Sequence, residues 1–135
     1  MPAFVDTNIL LYAVSSAPEE ATKTRVARSI LEGADWRLSV QVLQEFYVNA
    51  VRKLARPLSE RSAIRFIQRL SHTEPLPVDL ALMLRGTRLA NRYQLSYWDG
   101  AIIAAAHFSA CEVVLTEDLN DGQRYGDVTA MNPFR

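Results

Sequence analysis

The sequence predicts a parallel-sheet α/β domain with helices on both faces of the sheet. Three observations carry this. Ala3-Phe4-Val5 and Val113-Val114-Leu115 are short apolar runs, the length of strands buried on both sides. The longer segments between such runs repeat apolar residues at helical spacing. The two kinds of segment also alternate along the chain, which is the order a parallel sheet needs.

Residues 2–6 read as a buried strand and residues 8–15 as one or two helical turns. Ala17-Pro18-Glu19-Glu20 opens a helix, with proline early and acids in the first turn, and Gly33 suits its C-terminal cap. Trp36-Arg37-Leu38-Ser39 is a second strand. Val42, Leu43, Phe46, Tyr47, Ala50, Val51 and Leu54 then share one helical face. Arg56-Pro57-Leu58-Ser59 breaks that pattern, and Ser59-Glu60-Arg61-Ser62 opens a helix through about Leu70. Glu74-Pro75-Leu76-Pro77 is a poor central strand but fits a short edge strand. Leu82, Met83, Gly86, Leu89, Ala90 and Tyr93 mark the next helix, and Ser96 begins another that carries Ala101 to Ala106. After the Val113–Leu115 strand, Gly122 and Gly126 punctuate a loop, and Val128-Thr129-Ala130-Met131 reads as a last strand. With no repeat, low-complexity tract or linker in sight, residues 1–135 are expected to form a single domain.

Apolar residues make up 49% of the chain, enough for a core and too many for a disordered segment. No apolar run reaches the roughly 18 residues that cross a membrane. Asp6 interrupts the first apolar stretch, so a secretory signal is not expected. Cys111 is the one cysteine, which excludes an internal disulfide and fits a cytoplasmic setting. With only His72 and His107 beside it, a structural zinc site within the chain is excluded too. Basic and acidic residues balance at 15 each, so bulk charge alone does not hold a nucleic acid.

The acids, placed on this map, gather at one edge. Asp6 ends the first strand, and Asp118 follows the Val113–Leu115 strand. Both therefore lie at the carboxyl ends of parallel strands, where open α/β sheets bind ligands. Asp99 falls in the first turn of its helix and Glu45 near the start of another, and helix starts that follow parallel strands face the same edge. Each acid taken singly also has a structural use. Asp6 can cap the following helix, Ser96-Tyr97-Trp98-Asp99 fits a capping box, Asp118 can form an Asx turn beside Asp121, and Glu45 can be a solvated helix residue. Taken jointly, four carboxylates in one cleft repel unless a cation joins them, and hard Mg2+ or Mn2+ is the natural choice. Setting the four aside leaves 11 acids against 15 basic residues, a surplus of about +4 that suits a polyanion.

The residues that carry these acids resemble the ordered motifs of PIN domains. They are Val5-Asp6-Thr7-Asn8-Ile9-Leu10, Val42-Leu43-Gln44-Glu45-Phe46, Ser96-Tyr97-Trp98-Asp99-Gly100-Ala101 and Leu115-Thr116-Glu117-Asp118-Leu119. The resemblance is strongest to VapC-type toxins of bacterial toxin–antitoxin pairs, and it spans residues 3 to about 134. It implies a three-layer α/β/α domain with a parallel sheet of about five strands, and a metal-dependent endoribonuclease. It carries over Asp6, Glu45, Asp99 and Asp118 as catalytic and metal-holding residues, with Mg2+ or Mn2+ as cofactor. Asn8 then orients Asp6, Thr116 supports a carboxylate or a water, Asp121 adds a peripheral contact, and Glu117 faces solvent. It also implies an RNA substrate, a cognate antitoxin and a homodimer. Leu10, Leu11, Tyr12 and parts of residues 42–54 offer apolar surface to a partner, or else belong to the core. Arg61, Arg65 and Arg69 form one helical stripe, and Arg85, Arg88 and Arg92 another; either suits RNA phosphates or a solvated face. Cys111 is assigned to packing, and His107 to the core or its rim.

Two rival classes remain. A non-catalytic PIN-like module that binds RNA or protein would keep the fold and lose acids, and all four are present. A phosphotransfer domain would use Asp6 as nucleophile in an Asp-x-Asp signature, but Asn8 stands where the second Asp belongs.

Overall fold

The computed structural model describes residues 2–135. Five strands form one sheet: β1 (Ala3–Val5), β2 (Trp36–Arg37), β3 (Val113–Leu115), β4 (Arg124–Tyr125) and β5 (Val128–Met131). Their spatial order is β2-β1-β3-β5-β4. The β2–β1, β1–β3 and β3–β5 pairs are parallel, with Phe4 opposite Arg37 and Val114, and Val114 opposite Ala130. Only β4 runs antiparallel, on β5. Six α-helices accompany the sheet: α1 (Thr7–Val14), α2 (Ala21–Glu32), α3 (Val40–Arg52), α4 (Glu60–Leu70), α5 (Leu80–Tyr93) and α6 (Tyr97–Phe108). They pack in two groups. One runs α2-α1-α3-α4; in the other α5 lies on α6, and α6 on β3 and β5. The mixed α/β class read from the sequence is the class observed.

Helix starts follow from local chemistry. Asp6, Ser39, Ser59, Asp79 and Ser96 each accept a backbone N–H of the helix they open, meeting donors that would otherwise lack partners. Pro18–Glu20 forms a 3-10 turn first, so α2 itself begins at Ala21. Gly33 caps α2 with an extended backbone, φ −71°, so no left-handed turn is involved.

The strand expected over 36–39 stops at Arg37 because Ser39 turns away to cap α3. The edge strand expected over 74–77 reduces to a single bridge. The Leu76 N–H donates to the Leu38 carbonyl at 3.1 Å, and Val40 N–H to the Leu76 carbonyl at 2.9 Å. Pro75 and Pro77 on either side have no N–H to extend it. The sequence places residues 124–125 in a loop; they form β4, the short arm of a hairpin that turns at Gly126, φ +66°.

Phe4, Val5, Ile9, Leu10, Phe46, Ile103 and Val114 are fully enclosed and centre the core. Leu10, Val42, Leu43, Phe46 and Ala50 thus belong to the core and are not free partner surface. The exposed apolar side chains lie elsewhere, with Val78, Leu80, Met83 and Leu84 together around the start of α5. The arginines of both stripes are exposed. In α6 every residue from Gly100 to Ala106 is buried. Small side chains let it press onto α5 so closely that a Cβ on Gly100 would stand 2.5 Å from the Gly86 carbonyl oxygen and 2.8 Å from Ala90 Cβ. That close approach fixes the helix turn carrying Asp99. Among the described residues no helix is long and apolar enough to cross a membrane.

Candidate active site

Parallel pairing brings two acids to one edge. The Asp6 N–H donates to the Leu115 carbonyl at 3.1 Å, and Thr116 N–H to the Met131 carbonyl at 3.0 Å, so the sheet continues into the site. Both carboxylate oxygens of Asp6 are held. Thr7 N–H donates to Oδ1 at 2.7 Å and the Thr116 hydroxyl to Oδ2 at 2.8 Å. Asp6 is only 5% exposed. Burial pushes its carboxyl up to about 7; the Thr116 and Thr7 bonds pull the other way, and the nearby Asp118 and Glu45 add to the rise.

Thr116 is the hub. While donating to Asp6, its oxygen accepts Asn8 Nδ2 and the Asp118 N–H, each at 3.1 Å. Asn8 Nδ2 also reaches Asp118 Oδ2 at 3.1 Å. The opposite amide orientation would turn Asn8 Oδ1 against that carboxylate, which settles the assignment. Asn8 Oδ1 is buried and meets no donor. Thr116 thus bonds Asp6 directly, whereas Asn8 bonds Thr116 and Asp118 rather than Asp6.

Glu45, in the second turn of α3, accepts Gln41 Nε2 at 2.7 Å on Oε1 and the Thr7 hydroxyl at 3.4 Å on Oε2. Asp99 is the third residue of α6, with its N–H on Ser96 Oγ at 3.1 Å. Burial raises its carboxyl, a hydrogen bond with Ser96 opposes that, and Asp118 raises it further. So Thr7, Asn8 and Thr116 knit Asp6, Glu45 and Asp118 together, while Asp99 joins through the field it shares with Asp118.

One expectation is corrected, and Asp121 has contacts of its own. Glu117 does not face solvent freely: it accepts the Tyr12 hydroxyl at 2.5 Å and Lys23 Nζ at 2.9 Å, and Lys23 sits over the Tyr12 and Phe134 rings. Asp121, expected at the site's periphery, accepts the Asn132 N–H at 2.8 Å and pairs with Arg135 at 3.7 Å, so its contacts tie down the C-terminal segment. Cys111 is buried, as packing requires. His107 is exposed and lines a surface cavity of about 730 Å3 with Glu112, Arg124 and Asp127. That cavity lies by Val113, the opposite end of β3 from Asp118, and none of the four acids lines it.

Thr7 and Gln41 went unassigned in the sequence. Gln41 had left a signal: a polar residue between Val40 and Val42, one turn before Glu45 on the same face.

Among the described residues no Lys or Arg pairs with Asp6, Glu45, Asp99 or Asp118. Carboxylate oxygens with a spare amide oxygen, Asn8 Oδ1, are the donor set a hard divalent cation prefers. No three Asp, Glu, His or Cys side chains among those residues are gathered tightly enough to clasp an ion as they stand.

A mostly parallel sheet, with carboxylates from four elements drawn to one edge and met only by neutral donors, defines an acid-cluster α/β domain. Within that class the chain belongs to the PIN domain family, whose model matches residues 3–125. Solved structures share the fold. A toxin–antitoxin complex from Klebsiella pneumoniae aligns with a TM-score of 0.71 at 22% identity, covering 97% of each chain. VapBC-1 from nontypeable Haemophilus influenzae aligns at 0.66 and 20% identity, covering 100% of each. VapBC2 from Rickettsia felis, bound to a DNA fragment from its promoter, aligns at 0.65 and 16% identity, covering 98% of each. No curated protein matches the sequence significantly.

Proposed function

We propose that the chain is a metal-dependent endoribonuclease and the VapC-type toxin of a toxin–antitoxin pair. The observation that carries this reading is the acid cluster itself: four carboxylates from distant segments crowd one edge, and among the described residues no basic side chain pairs with them. Asp6, Glu45, Asp99 and Asp118 would hold one or two Mg2+ or Mn2+ ions, which when bound polarise a phosphate oxygen and acidify a water. The chain's own residues supply alignment. Thr116 holds Asp6 and the backbone of Asp118 in one register. Asn8 donates to Asp118 Oδ2 and sets the direction of that exposed carboxylate. Thr7 and Gln41 set the direction of Glu45. Cys111 lies in the core and His107 beside the far cavity, so neither has a part, and water is the attacking group on the phosphodiester.

A neighbour of known structure is a toxin–antitoxin complex, which supports a cognate antitoxin partner; on this reading a segment of it covers this cleft. A homodimer and a cytoplasmic setting belong to the same reading. The test is incubation of pure protein with total RNA, with and without Mn2+, followed by mapping of cleaved ends. Wild type cuts only with the metal, and Asp99→Asn does not cut while keeping its circular dichroism. Cleavage by Asp99→Asn at the wild-type rate refutes the assignment. RNA binding without cleavage returns the non-catalytic module.

A further inference from the structure

Gln41 lies between two of the elements that carry the acids. It is the second residue of α3 and is 6% exposed. Its Nε2 donates to Glu45 Oε1 at 2.7 Å and to the Trp98 carbonyl, in the first turn of α6, at 3.4 Å. The other oxygen of Glu45 has only the long Thr7 contact at 3.4 Å. The direction of that carboxylate therefore depends chiefly on Gln41. A buried amide flanked by Val40, Val42 and Leu43 is costly unless its polar atoms are used, and here its donor is used twice.

We propose that Gln41 is a positioning residue. It holds the Glu45 carboxylate on the Asp6 side of the cleft and ties α3 to the α6 turn that carries Asp99, so that acids from both helices serve the same divalent ion. This rests on the metal-dependent reading above. Gln41 itself touches neither ion nor RNA.

The test is a double-mutant cycle read by calorimetric titration with Mn2+ alone, with thermal unfolding alongside. The chains are wild type, Gln41→Met, Glu45→Gln and the double variant. Methionine keeps the length and burial of the side chain and removes the donor. Gln41→Met is expected to weaken Mn2+ binding about 10- to 100-fold, the usual effect of losing a partner behind a metal ligand. In the Glu45→Gln background the same change should cost clearly less, because the part of its effect that runs through Glu45 is already gone and only the tie to the Trp98 carbonyl remains. Gln41→Leu repeats the measurement with a second apolar side chain. Wild-type affinity in Gln41→Met, or an equal loss in both backgrounds, overturns the proposal alone. Failure of the wild-type chain to take up Mn2+, with Asp6→Asn identical to it, overturns the metal reading and this proposal together.

Discussion

Asp6→Asn exchanges a buried carboxyl for an amide of the same shape, and its effect on stability has a definite pH signature. Burial, with Asp118 and Glu45 nearby, lifts the Asp6 carboxyl from its ordinary 3.8 to about 7 in the folded chain. The unfolded chain releases that proton near the ordinary value. Between the two values the folded chain holds a proton that the unfolded chain has lost. Stability therefore falls as pH rises through this window. Roughly three pH units at about 1.4 kcal/mol each give about 4 kcal/mol, absent below the lower value and fully developed above about pH 7. Asparagine carries no such penalty. It brings a smaller one of its own: Thr116 Oγ already accepts Asn8 and Asp118, so an amide NH2 there meets a filled acceptor. That costs about 1 kcal/mol and does not depend on pH. Urea unfolding in EDTA, from about pH 4 to about pH 8, should show wild type losing stability relative to Asp6→Asn by about 4 kcal/mol. Parallel pH curves for the two proteins refute the argument. Added Mn2+ at the upper pH should restore wild type and leave the variant unmoved, since an ion bound only by the folded chain stabilises it by mass action.

Gly100→Ala forces a Cβ to within 2.5 Å of the Gly86 carbonyl oxygen, so α6 must lift from α5. A loss of about 1–3 kcal/mol is expected in thermal unfolding, with RNA cleavage falling as Asp99 moves with its helix. Leu80, Met83 and Leu84 form an exposed apolar face on α5, with Leu80 at 69%. Light scattering after size exclusion should report a dimer that Leu80→Asp dissociates; a mass near 15.2 kDa for wild type at micromolar concentration counts against the homodimer.

How much was legible follows from the range of each interaction. Ala3–Val5 and Val113–Leu115 were readable because continuous apolar runs need no partner to be recognised as buried strands. Ser59 and Ser96 were readable because a cap bonds a residue three places on. The convergence of Asp6 and Asp118 was readable because parallel strands end at a common edge. β4 was not, since two residues carry no periodicity and Tyr125 is placed by Tyr93, whose ring lies 5.2 Å away. Glu117 was misread for the same reason: its partner Lys23 lies 94 residues away, and nothing local to Glu117 points to it. Gln41 was the near miss, a polar residue on an apolar face whose use only the packed helices reveal.

On the proposed metal reading, the neutral donors leave the crowded charge for an ion to settle. Thr116, Thr7, Gln41, Asn8 and Ser96 each orient a carboxylate without neutralising it. A lysine in their midst would relieve the repulsion and remove the need for a metal. Asn8→Lys tests this directly, because the Asn8 amide already reaches Asp118 at 3.1 Å and Asn8 Oδ1 meets no donor. An ammonium at that point satisfies Asp118 and lowers the Asp6 carboxyl towards its ordinary value. In EDTA at about pH 8 the variant should be more stable than wild type, by up to about 1 kcal/mol for an ion pair at an exposed carboxylate. The same variant should lose the Mn2+-induced rise in unfolding temperature and the cleavage of RNA. If Asn8→Lys gains no stability in EDTA, or still responds to Mn2+ as wild type does, the repulsion among these acids is not what draws the ion, and the metal reading loses its physical basis.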